Sequence, residues 1–175
     1  MAKMNKQILV FGFGTWGTVE ENISEQVVNR LKPDPYVTTR VLETRFDEEQ
    51  LIKVVEEKDY DYILGLGRYP RGEVLRLEQK GYNRKKETGV IATIGDQDRQ
   101  FYEVTWQIKP TDKARVTNDP GSFVCNFSIY VLSRWAIKHH KRFAFIHIPK
   151  DFAVKQAVSF VERVLIDVRS GKYEK

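Results

Sequence analysis

Gln7-Ile8-Leu9-Val10-Phe11, running into Gly12-Phe13-Gly14-Thr15-Trp16-Gly17, is the stretch on which the fold reading turns. A short apolar run ended by glycines is the pattern of a buried strand meeting a loop. Asn22 to Leu31 then places Ile23, Val27, Val28 and Leu31 on one helical face, closed by Pro33 and Pro35. The sequence moves on to a Val- and Thr-rich strand at Tyr36 to Leu42 and an amphipathic helix from Asp47 to about Lys58. Tyr62-Ile63-Leu64 reads as a third buried strand that gives way to a loop at Gly65-Leu66-Gly67. Toward the C-terminus come a helix from Ser122 to about Lys138, a core strand at Phe143 to Ile148 and a closing helix at Phe152 to Val168. Strands alternating with helices predict an α/β three-layer α/β/α sandwich around a mostly parallel twisted sheet. Arg68 to Asp119 is polar and basic, and yields only two predicted strands, Val90 to Ile94 and a segment around Tyr102 to Ile108.

Length and composition set the bounds. A chain of 175 residues with 41% hydrophobic residues is expected to form one compact domain over 1–175, and the near-average composition argues against disorder or coiled coil. The net charge of +5 permits nucleic-acid or other anionic partners without requiring them. The basic run Lys80, Arg84, Lys85, Lys86 reads either as a ligand- or nucleic-acid-binding loop or as a solvated one. No segment approaches the ~18 apolar residues of a membrane span. Lys3 and Lys6 before the first apolar run mimic a signal peptide, but the run is short and broken by glycines. A cytoplasmic protein is expected, with no membrane partner. The single cysteine, Cys125, excludes an intrachain disulfide framework and any multi-cysteine zinc site.

In open α/β sheets, sites lie beyond the C-terminal ends of the strands. Gly12 to Gly17, Gly65 to Glu78, Asp119 to Cys125 and His147 meet that rule. Cys125 is expected in the first turn of its helix, where free N–H groups and the helix dipole lower a thiol pKa, although a buried structural cysteine is the plainer reading. His147 ends a core strand and suits either a satisfied core histidine or a general base for the thiol. Glu78 is a candidate to orient that imidazole, or else a surface glutamate among basic residues. His139 and His140 belong to a solvated turn. Gly12 to Gly17 satisfies G-x-G-x-x-G, yet Glu20 and Glu21, the bulk of Trp16 and the late helix start argue against a bound dinucleotide. Phe13 and Trp16 instead suggest an aromatic clamp for a small flat group, or simply core.

Four blocks are similar to the pyroglutamyl peptidase I (pyrrolidone-carboxylate peptidase) family of cysteine exopeptidases. They are Ile8 to Gly17 with Asn22; Gly65-Leu66-Gly67 with Leu77-Glu78 and the animal-type Glu78-Gln79-Lys80-Gly81-Tyr82-Asn83; Gly121-Ser122-Phe123-Val124-Cys125-Asn126; and Phe145-Ile146-His147-Ile148-Pro149. Order and spacing are collinear over most of the chain. The resemblance implies Cys125 as nucleophile, His147 as base, Glu78 as its orienting acid, and Phe13 and Trp16 around the lactam ring of an N-terminal pyroglutamate. It implies a peptide substrate and no metal or organic cofactor, and leaves a homo-oligomer open. Three departures stand out. Arg68 falls where many members carry a glutamine that hydrogen-bonds the ring, and an arginine only donates. The family's arginine after the glutamate block has no clean counterpart, with Arg84, Lys85 and Lys86 nearby but shifted. A helix-bearing stretch between about Asp96 and Asn118 is absent. A same-fold cysteine amidase for another small acyl group, or a non-catalytic ligand- or nucleic-acid-binding member, therefore stay open as alternatives.

Overall fold

The computed structural model describes residues 5–95 and 99–174; Lys3 and Asp96, named above, lie outside them. Strands β1 (Ile8–Phe13), β2 (Val37–Leu42) and β3 (Tyr62–Tyr69) alternate with helices α1 (Ile23–Arg30) and α2 (Glu48–Val55). The middle of the chain supplies six short strands: β4 (Leu75–Glu78), β5 (Lys80–Tyr82), β6 (Lys85–Glu87), β7 (Val90–Ala92), β8 (Phe101–Glu103) and β9 (Ala114–Thr117). Helix α3 (Val124–His139), strand β10 (Arg142–Pro149) and helix α4 (Val154–Arg169) complete the order. The residues that open the first two predicted helices act as their caps: the side chains of Asn22 and Asp47 accept from Ser24 N–H and Gln50 N–H at the starts of α1 and α2.

The main sheet has six strands in the order β2-β1-β3-β10-β4-β9. The first four are mutually parallel; β4 runs antiparallel to β10, and β9 parallel to β4. Period-2 alternation sorts the side chains into two cores. Ile8, Val10, Leu64, Leu66, Ile146 and Ile148 face α1 and α4, against Val27, Ala157, Val161 and Val168. Leu9, Phe11, Ile63, Phe143 and Phe145 face α2 and α3, against Leu51, Val55, Phe127 and Val131. That is the expected three-layer sandwich with a mostly parallel sheet. No helix among the described residues is long and apolar enough to cross a membrane.

Two expectations need correction. Gly65 and Gly67 do not open a loop; β3 runs through them to Tyr69. Added Cβ atoms there would collide with the Phe145 ring and, at Gly67, with Cys125 Sγ, so the glycines clear the α3 face of the sheet. Glu78 is likewise not on a loop after β3. It closes β4, a member of the main sheet, and sits opposite Phe145 of β10.

A candidate thiol–imidazole–carboxylate site

β1 connects through α1 to β2 on one side, and the chain then returns through α2 to β3 on the other. The switch point between β1 and β3 opens a crevice at the strand ends, where such folds place ligands. A cavity of about 400 Å³ lies there, lined among others by Phe13, Trp16, Arg68, Phe46, Phe123 and Cys125. All three residues expected around the acyl group, and the expected nucleophile, share this one cavity.

Cys125 is the second residue of α3, where N–H groups precede the first intrahelical bond, from Phe127 N–H to Phe123 C=O at 3.0 Å. The turn before it is closed by Gly121 at φ +88 and by Asp119 Oδ1, which accepts from Gly121 N–H at 3.1 Å. Asn126, fully buried, anchors this end of the helix. Its amide accepts from Tyr82 N–H (2.8 Å) and donates to the carbonyls of Tyr82 (2.9 Å) and Arg84 (2.7 Å). Gly81 beneath α3 carries no side chain that would strike the Tyr130 backbone.

His147 pairs in register with Gly67, the residue whose missing Cβ makes room for Cys125 Sγ. Laterally paired residues of a parallel sheet project to the same face, so the imidazole and the thiol occupy the α3 side together. His147 is 2% exposed, flanked by the rings of Phe145 and Tyr69. Its Nδ1 lies 2.8 Å from Glu78 Oε1. Glu78, 1% exposed, also accepts from Arg76 Nε at 3.0 Å and, on Oε2, from the Thr117 hydroxyl at 2.8 Å. Burial alone would raise the Glu78 carboxyl strongly. His147, Thr117 and Arg76 together outweigh it and hold the pKa below the ordinary 4.5. An ionised Glu78 makes Nδ1 the protonated nitrogen of a neutral imidazole and leaves Nε2 as the acceptor.

The thiol departs from expectation. Burial, with the Glu78 charge second, pushes Cys125 up to about 12 instead of down, so the helix start does not make it a resting thiolate. Arg76 and Thr117 are the residues that sequence reading missed. Arg76 sits two positions before Glu78, on the same strand face, and its guanidinium also donates to the Asp119 carbonyl at 2.8 Å. That i, i+2 spacing was a usable signal; Thr117, 39 residues from Glu78, left none.

The two aromatic residues expected to form a clamp are placed differently. Phe13 is core, 2% exposed and edge-on to Phe11, whereas Trp16 is 39% exposed with the Arg68 guanidinium 5.6 Å from its ring centroid. The loop between them is pinned at Gly14 C=O, which accepts from Asn22 Nδ2 (3.0 Å) and the Thr44 hydroxyl (2.7 Å). Helix α1 begins only at Ile23, so the G-x-G-x-x-G loop presents no helix N-terminus to a pyrophosphate. In the basic run, Lys80, Arg84 and Lys85 pair with Glu103, Asp119 and Glu87, which breaks up a continuous cationic surface. His139 and His140 are exposed, as read. Among the described residues no group of three or more His, Cys, Asp or Glu is arranged to hold a metal ion.

No model of a known protein family matches the sequence, and no curated protein does. Solved structures do match. Pyroglutamyl peptidase I of Bacillus amyloliquefaciens superposes with a TM-score of 0.73 at 23% identity, over 82% of this chain and 82% of that one. Pyrrolidone carboxyl peptidase of Thermococcus litoralis gives 0.71 at 19%, over 82% and 76%. The enzyme of that name from Fervidobacterium islandicum gives 0.75 at 19%, over 94% and 99%. The chain has the fold of the pyrrolidone carboxyl peptidases.

Proposed function

We propose that the protein is a cysteine hydrolase that cleaves the amide bond following an N-terminal pyroglutamyl residue. The observation that carries this reading is the Glu78–His147 hydrogen bond on the sheet face that Cys125 Sγ also occupies, at the wall of an aromatic-lined cavity. Because the resting thiol is neutral, nucleophile formation and attack are coupled: Sγ gives its proton to His147 Nε2 as the S–C bond forms. The imidazolium then protonates the leaving amine as the C–N bond breaks. A water deprotonated by the same nitrogen attacks the thioester, which releases the acid and returns the proton to sulfur. Glu78 holds the ring orientation and stabilises the imidazolium. The N–H groups of the first turn of α3 face the developing oxyanion. Phe13 and Trp16 enclose the ring, and Arg68 donates to its carbonyl.

A second reading, an amidase of the same fold for another small acyl group, is favoured by Arg68, which offers nothing to the lactam N–H. Turnover of a fluorogenic pyroglutamyl amide under reducing conditions tests the main reading. Cys125→Ala is expected to abolish it, and Glu78→Gln to lower kcat by about 10²-fold or more. Absence of Cys125-dependent release would sink it.

A further inference from the structure

The charges around the cavity do not balance. Arg45, on its wall, is paired with Glu43 at 2.6 Å and Asp47 at 2.9 Å. Glu87, the one acid in the lining, is taken up by Lys85 at 3.3 Å. Arg68 and Lys86 also line the cavity, and neither has an ion pair among the described residues. Lys86 is exposed to solvent. Arg68 is only half-exposed, and its interaction is with the face of Trp16. A cation–π contact compensates a guanidinium in part and leaves its N–H edge free for an acceptor.

A lactam ring uses that edge poorly. It presents one carbonyl acceptor and one N–H, and five guanidinium donors cannot serve the latter. A carboxylate accepts two N–H groups side by side and neutralises the charge, in a pocket whose aromatic walls weaken competition from water. We propose that the cavity takes acyl groups ending in a carboxylate, of the length of a glutaryl chain, alongside the pyroglutamyl ring and more tightly than it. The inference deepens the amidase reading of this same cavity. The scissile carbonyl lies at Cys125 in both substrates, and the ring carbonyl of one and the terminal carboxylate of the other occupy the place before Arg68. The bond changes are those given above, with glutarate as the released acid.

Glutaryl- and pyroglutamyl-7-amido-4-methylcoumarin, compared as substrates of the full chain, test it. Wild type is expected to show a kcat/KM for the glutaryl compound about 10-fold higher or more, and Arg68→Gln to reverse that order, as loss of a charge-assisted hydrogen bond implies. Arg68→Lys, which keeps the charge, retains part of the preference. A wild-type preference for the pyroglutamyl compound, or a preference unmoved in a folded Arg68→Gln, overturns the proposal. Binding separates this outcome from failure of the hydrolase reading. In Cys125→Ala, glutaramate should bind more tightly than pyroglutamide, with an affinity that falls with salt and with Arg68→Gln. If neither coumarin is turned over, hydrolysis is refuted, and the two affinities alone decide what the cavity takes: equal affinities overturn the proposal.

Discussion

Glu78 is gripped on both oxygens, by His147 and Arg76 on Oε1 and by Thr117 on Oε2. A carboxylate held that way stays ionised while buried, which keeps the proton of the neutral imidazole on Nδ1 and leaves Nε2 as an acceptor. The thiol follows the opposite logic. With Cys125 pushed up to about 12, its alkylation by iodoacetamide should keep accelerating with pH through pH 9. A rate that levels off below pH 8 would show a preformed thiolate and refute the neutral resting state. Neither fact is written in the local sequence. A cysteine at a helix start reads as acidified until the burial and the neighbouring carboxylate, 47 positions earlier in the chain, are known. Arg76 and Glu78 look like surface residues for a similar reason: charges are permitted in the interior there because they satisfy each other and His147.

The long elements were legible because α1 and α4 each bury a periodic apolar face, because β10 is a continuous apolar run buried on both faces, and because Asn22 and Asp47 cap their helices from recognisable positions. β4 to β9 were largely hidden, since strands of three or four residues leave too few alternations to read. Leu75-Arg76-Leu77-Glu78 alternates cleanly, but its partner strand β10 lies some 70 positions away. Glycines misled for another reason: Gly65 and Gly67 interrupt β3 by composition only, because what they accommodate comes from β1, β10 and α3. Gly81 lies so close beneath α3 that Gly81→Ala must drive a methyl into the Tyr130 backbone. A loss of about 2 kcal/mol or more is expected in urea denaturation, with the shift in midpoint as readout. An unchanged midpoint would mean α3 can lift away freely.

At the scale of the molecule, the lowered carboxyls share a direction. Glu78 is held down by its three partners against burial, Asp47 by the Gln50 N–H, Glu57 by Arg40 and Asp59 by Lys141. Each adds stability that is complete above the pKa of the unfolded chain and is lost as pH falls through the folded value. Thermal melts should therefore show Tm declining as pH drops below about 4.5, with Glu78→Gln converging on wild type at the acid end. Parallel curves for the two proteins down to pH 3 would remove Glu78 from that account.

Thr117 belongs to β9, four residues long and the outermost strand of the sheet. The second oxygen of the buried acid is thus tethered to the edge strand of the sheet. Were that strand to detach, Glu78 would lose one donor and keep Arg76 and His147. A carboxylate buried in the middle of the molecule is in this way tied to its margin. Whatever holds β9 in place also holds the second oxygen of the acid behind the imidazole.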